Sequence, residues 1–215
     1  AMPLYTWLRA LYNPQLHDFV MPQPTMNIMN GGRHATNGLS IQEFMIIPRH
    51  TLLSERVRIG VEVFQALKTI LIKKKLSTGV GDEGGFSPVL RGNEEALQLI
   101  MKAIVAAGYV PGKDVFLGLD IAASEFFDER KGYYFDSNSS ARSARYMQTV
   151  LLRWLKKYPL MSIEDPYAED DWAAWADFTK KLSKKTSLVG DDLFVTNKKR
   201  LQRGIEEQVD RKSVV

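Results

Sequence analysis

The 215-residue sequence contains no cysteine, which removes disulfides and a thiol nucleophile from its chemistry without fixing a compartment. No apolar run approaches the ~18 residues that span a membrane, and no basic-then-apolar leader opens the chain. An excess of one charge is also lacking: 29 basic against 25 acidic residues leave +4, too mild to imply a nucleic-acid partner. The basic clusters Lys73-Lys74-Lys75, Lys180-Lys181, Lys184-Lys185 and Lys198-Lys199-Arg200 have no aromatic ladder between them, so they read as solvated helix faces. Low-complexity stretches and linkers are missing too. What is there, 45% apolar and 25% charged residues, suits one globular domain, and the expectation is a soluble cytoplasmic protein.

Leu4, Trp7, Leu8 and Leu11 share one face of a short amphipathic helix. Pro14, Pro22 and Pro24 then break the helix, and Asn27 to Gly38 reads as irregular. Ile41 to Ile47, closed by Pro48, predicts a strand, and a helix follows from Ser54, its N-cap, to about Lys75. A rhythm then sets in. Val80 leads to Asp82-Glu83, and Asn93 caps a helix that stops at Gly108. Val115 to Leu119 leads to Asp120, with a helix from about Ser140 to Tyr158. Leu160 to Ile163 leads to Glu164-Asp165, with a helix from about Trp172 to Lys184. Leu188-Val189 leads to Asp191-Asp192, Asn197 caps a helix to about Glu207, and Ser213-Val214-Val215 is patterned as the opening of another strand.

Strand–helix alternation of this kind predicts parallel strands with right-handed crossovers. A doubly wound sheet and a barrel both satisfy it. The acids at successive strand ends favour the barrel, which gathers such ends around one mouth. Asp120, Glu164 and Asp191 each end an apolar strand and lie 44 and 27 positions apart. Three converging carboxylates make a hard oxygen site suited to magnesium. Any one of them alone is equally well a helix-capping charge. Together they repel one another unless a cation intervenes. Two loops add to this: Gly81-Asp82-Glu83-Gly84-Gly85-Phe86, where glycines flank an acid pair, and Asn30-Gly31-Gly32-Arg33-His34, with Glu43 nine residues on. His17 and His50 lack such a setting and read as structural or surface residues.

Met26 to Ala35, Gln42 to Met45, Val80 to Phe86, Gly118 to Phe126, Ser162 to Pro166 and Val189 to Asn197 resemble the blocks of the enolase family, in that family's order. The likeness runs from the first helix to about Gly204. It implies an α/β fold, an incomplete TIM-type (β/α) barrel of the enolase kind with about six of eight strands, the first in ββαα arrangement. Residues 1–215 would form one partial catalytic barrel domain, without the amino-terminal capping domain and the last barrel strands.

By position, the resemblance implies that Asp120, Glu164 and Asp191 hold Mg2+. Glu83, assisted by Glu43, would protonate the leaving hydroxyl, and His34 and Glu43, with Gln42 beside Glu43, would form the substrate-binding pocket. The implied activity is that of a hydro-lyase, interconverting 2-phosphoglycerate and phosphoenolpyruvate, in a family whose members pair as homodimers. The family's base is a lysine about 25 positions beyond the residue matching Asp191, which falls past Val215, so a polypeptide of these residues alone is expected to be inactive. The alternative is a non-catalytic, enolase-derived binding or scaffold protein. The loop after Pro48 is shorter than the family's, and the match fades from Gln208 onward.

Overall fold

A computed structural model describes residues 2–15, 18–135, 140–182 and 186–209. Five strands make the central sheet: β1 (Met26–Asn30), β2 (Glu43–Pro48), β3 (Val115–Asp120), β6 (Leu160–Glu164) and β7 (Ser187–Val189), in that spatial order. A small antiparallel ribbon, β4 (Phe127–Asp128) with β5 (Gly132–Tyr133), lies outside it. β1 and β2, and β2 and β3, run antiparallel, whereas β3, β6 and β7 run parallel. Two helices, α2 (Leu53–Lys73) and α3 (Asn93–Ala106), separate β2 from β3, which gives the ββαα opening. α4 (Ala144–Lys157) and α5 (Trp172–Lys181) are the crossovers of the parallel part, and α6 (Lys198–Glu207) follows β7. The described residues form an open sheet, consistent with an incomplete barrel.

Strand side chains alternate between faces, so register decides which residues meet. Phe44 pairs with Leu119 and Ile46 with Leu117, while Leu119 continues to Ile163 and Ile163 to Leu188. All are buried in one core with Val63 and Leu67 of α2, Ile100 of α3, Trp154 of α4 and Phe178 of α5. Burial of these side chains contributes ~1.5–3 kcal/mol each and fixes the helices to this face. The opposite face carries Glu43, Met45 and Ile47 of β2, Gly118 and Asp120 of β3, and Ser162 and Glu164 of β6. A Cβ at Gly118 would sit 2.7 Å from Ser162 Oγ, so glycine there lets the strands approach beneath the acids.

Several elements depart from the sequence expectation. Met26–Asn30 is a strand, not part of an irregular stretch, and Gly32–His34 after it is a 3-10 turn. The glycines of that motif hid a strand whose pairing comes from β2. Val80 forms only an isolated bridge to Phe86, so the short strand expected there is a loop contact. The sheet has five strands among the described residues. Ser213 to Val215, Lys184, Lys185 and His17 lie outside the described residues. Ser54 is inside α2 and caps nothing, because the helix starts at Leu53 without a side-chain cap. Asn93 is the first residue of α3 rather than its cap: its Oδ1 accepts from Ser40 and Ile41 N–H, and its Nδ2 donates to the Phe135 carbonyl. α4 begins at Ala144 rather than about Ser140, and Ser143 caps it, accepting from Tyr146 N–H. At the start of the chain, α1 (Leu4–Tyr12) forms as expected and buries none of its residues.

Candidate active site

One register row crosses the end of the sheet: Asn30 pairs with Glu43, Glu43 with Asp120, Asp120 with Glu164, and Glu164 with Val189. β2 is antiparallel to β3, so its first residue pairs with the last residue of β3, which in turn pairs with the last residue of β6. Directly paired strand residues have Cβ atoms only about 4.5–5.5 Å apart, and like charges there are destabilising. Three acids in adjacent places of one row are therefore an electrostatic fault unless a cation resolves it. Among the described residues no lysine or arginine forms an ion pair with Asp120, Glu164 or Asp165. Gln42 Nε2 donates to Asp120 Oδ2 at 3.1 Å, and Ala122 N–H donates to its Oδ1 at 3.1 Å.

Carboxylate oxygens of Asp120, Glu164 and Asp165 all lie within 4.8 Å of one another. Burial pushes Asp120 up to about 8, with the charges of Glu164, Asp165 and Glu43 adding to it. Glu164 is raised to about 7 by burial and then by Asp165, Asp191 and Glu43. Asp191, two residues past the row, is exposed and outside that cluster, yet its charge reaches Glu164. Asp165 has a different occupation. Its Oδ2 accepts from Asp191 and Asp192 N–H at 3.2 and 2.9 Å, and its Oδ1 from Leu193 N–H at 3.4 Å. It is buried, with a left-handed φ of 41°, and it holds the loop that carries Asp191. Three amide N–H groups of the Asp191 loop already engage its two oxygens. The remaining donor set, carboxylate oxygens at a half-open sheet edge, fits a hard divalent cation.

These shifts set a sign for pH. Asp120 keeps its proton in the folded state up to about pH 8, whereas the unfolded chain loses it near the ordinary value of 3.8. The folded state thus binds more protons between those values, and stability falls as pH rises through that window. Asp120→Asn should therefore raise the melting temperature of the metal-free protein at pH 8, by about 2–4 °C per kcal/mol gained, and change little at pH 4. Thermal melts at the two pH values check this, and equal shifts at both would contradict it.

The second cluster lies at the other end of the row. His34 Nδ1 is 3.5 Å from Glu43 Oε1, and ligand atoms of His34, Glu43 and Glu83 lie within 4.8 Å of one another. Glu43 is raised by burial, lowered by His34 and raised by Glu83. The Gly81–Phe86 loop is stitched down at close range: Gly85 N–H donates to Asn30 Oδ1 at 2.8 Å and Asp82 N–H to the His34 carbonyl at 3.2 Å. A Cβ at Gly81 would stand 2.4 Å from that carbonyl, and one at Gly85 2.7 Å from Met29 N, so only glycine fits. Phe86 anchors the loop by stacking on Phe64 of α2, ring centroids 4.2 Å apart. Glu83 itself is exposed at the tip. Glu43 is common to both halves, since its charge acts on Asp120 and Glu164 as well as within the His34 group.

Of the seven residues singled out in sequence, the structure brings Asp120 and Glu164 together, joins His34, Glu43 and Glu83, hydrogen-bonds Gln42 to Asp120, and leaves Asp191 outside both groups. Two participants escaped the sequence reading. Asp165 was legible only as the neighbour of Glu164, and its bonds to the amides of the Asp191 loop separate the roles. Asn30 is buried at the end of β1, where its Oδ1 takes the Gly85 amide and its carbonyl takes Asn37 Nδ2 at 2.8 Å.

The family model described as "Enolase, C-terminal TIM barrel domain" matches residues 18–214. A curated relative, the enolase of Bdellovibrio bacteriovorus, is 49% identical over 208 residues, which is 96% of this chain and 47% of the relative. The chain thus spans about half the length of the curated relative it matches.

Proposed function

The chain belongs to the enolase family, and from that premise we propose that it carries the metal site and the acid side of a phosphopyruvate hydratase, which dehydrates 2-phospho-D-glycerate reversibly to phosphoenolpyruvate. The observation that carries this reading is the single row in which Glu43 joins the Asp120–Glu164 acids to the His34–Glu83 group. Dehydration needs both: negative charge accumulates at the substrate carboxylate, and a hydroxide must leave from C3.

Asp120, Glu164 and Asp191 would hold Mg2+, with Asp165 fixing the loop behind Asp191 and Gln42 orienting Asp120. When bound there, magnesium supplies neutralisation of the substrate carboxylate oxygens, which acidifies the C2 proton. Glu83 gives a proton to the C3 hydroxyl as the C3–O bond breaks, and the C2–H electron pair becomes the C2–C3 double bond, so water is the second product. Glu43, whose carboxyl is pushed upward first by burial and also by Glu83, stands beside Glu83 in the same group and assists it. His34 lines the pocket between them. The C2 proton goes to a base, in this family a lysine beyond the residue matching Asp191. The same reading extends to glycolysis in the cytoplasm and to a homodimer, with no nucleic-acid or membrane partner.

The test is formation of phosphoenolpyruvate, followed by its absorbance. A chain of full enolase length containing these residues should turn over 2-phosphoglycerate with magnesium, and a polypeptide of the 215 residues alone should not. An inactive full-length chain that folds and binds magnesium would sink the assignment and favour a binding or scaffold role. Turnover by the 215 residues would mean that one of the surface lysines acts as the base.

A further inference from the structure

Arg200 sits in the first turn of α6, where the Asn197 side chain caps the helix by accepting from Lys199 N–H at 2.9 Å. Its guanidinium reaches back across two loops. Nε donates to the Leu193 carbonyl, in the loop carrying Asp191. The two terminal nitrogens go to the other loop: one donates to the Glu169 carbonyl, and the other pairs with Asp170 Oδ1 at 2.9 Å. The Trp172 ring, 5.2 Å away, backs the guanidinium. Only about a quarter of the Arg200 side chain is exposed, against 74% for Asp170.

The Asp191 loop has reason to need holding. Val195 and Thr196 both have left-handed φ, 40° and 54°, a strained conformation for β-branched residues that persists only where surroundings enforce it. Phe194 is wedged between Gly190 and Gly204, where an added Cβ would come within 2.9 and 2.5 Å of its ring. Asp165 grips the loop from inside through three amides. Arg200 grips it from outside and ties it to the segment that follows Glu164 and Asp165.

We propose that Arg200 is a positioning residue for the metal site, a planar fork that locks the Asp191 loop to the Glu169–Asp170 loop and so fixes where Asp191 stands relative to Glu164. This rests on the reading of Asp191 as a ligand. A lysine cannot replace it, because one ammonium cannot serve three acceptors on two loops in fixed directions. Residues that orient metal ligands typically cost 10–100-fold in metal affinity when lost.

The experiment is Mn2+ titration of the full-length chain by calorimetry, with melting curves with and without the ion. Arg200→Lys should weaken Mn2+ binding about 10-fold and shrink the Mn2+-induced rise in melting temperature. A merely structural role would lower both melting temperatures together and leave that rise unchanged. Asp191→Asn should weaken binding, and Arg200→Lys added to it should cost little more, because the arginine acts through that aspartate. Asp170→Ala, a change on the surface, should weaken binding about two-fold, which covers the case in which Arg200→Lys does not fold. Full Mn2+ affinity in Arg200→Lys, or in Asp170→Ala if the lysine variant does not fold, would overturn the proposal, as would independent, additive losses in the double variant. Failure of the wild-type chain to bind Mn2+, or undiminished binding in Asp120→Asn, would instead strike the metal-site reading beneath it.

Discussion

Glu83→Gln, in a chain of full enolase length, is expected to lower kcat for 2-phosphoglycerate dehydration by about 10²–10⁴-fold while leaving magnesium affinity within about two-fold. Glutamine matches glutamate in size but has no acidic proton to give a departing hydroxide. The loop beneath it keeps its shape, because that shape comes from Gly81, Gly85, the Asn30 amide bond and the Phe86–Phe64 stack rather than from the carboxyl. The metal half is spared because Glu83 belongs to the His34–Glu43 group, not to the Asp120–Glu164 group. Proton loss from C2 needs no acid at C3, so the variant should still exchange its C2 hydrogen with deuterated solvent. Steady-state rates and exchange measured by NMR check the two halves separately. A variant that loses exchange together with turnover would place Glu83 outside the acid role.

Glu164→Gln is expected to weaken magnesium binding by at least about 100-fold, since even groups behind a metal ligand cost 10–100-fold when lost. Glu164 stands between Asp120, its partner in the row, and the Asp191 loop, and it feels the charges of Asp165 and Asp191. The same substitution removes a half-buried like-charge contact, so the metal-free variant should melt no lower than the parent at pH 8. Loss of binding without loss of stability distinguishes a ligand from a structural residue. Calorimetric titration and melts on one preparation read both.

Much of this was legible from the residues, and for identifiable reasons. Apolar runs ending in Asp120, Glu164 and Asp191 announced the parallel part of the sheet, and it forms as β3, β6 and β7. A strand that depends on its neighbour for pairing is harder to see, and β1, in a motif rich in asparagine and glycine, was read as irregular. Val80 shows the reverse error, an apolar residue before two acids that reaches only one bridge. Asn93 has the side chain of a helix cap, but tertiary contacts to Ser40, Ile41 and Phe135 claimed it. The chemistry-bearing types were visible, whereas the division of labour among adjacent acids was not. Glu164 and Asp165 are neighbours in sequence, and only the pleat and the amides of the Asp191 loop turn one toward the row and commit the other to holding that loop.

The central claim is that the acid row is a divalent-cation site, and the position of a bound Mn2+ in crystals, located by anomalous scattering, tests it most directly. The account predicts one ion in contact with carboxylate oxygens of Asp120, Glu164 and Asp191, at about 2.1 Å, the distance expected of a small hard cation with oxygen ligands. An ion seated instead among His34, Glu43 and Glu83, or crystals soaked in Mn2+ with the Asp120–Glu164 row empty, would contradict it.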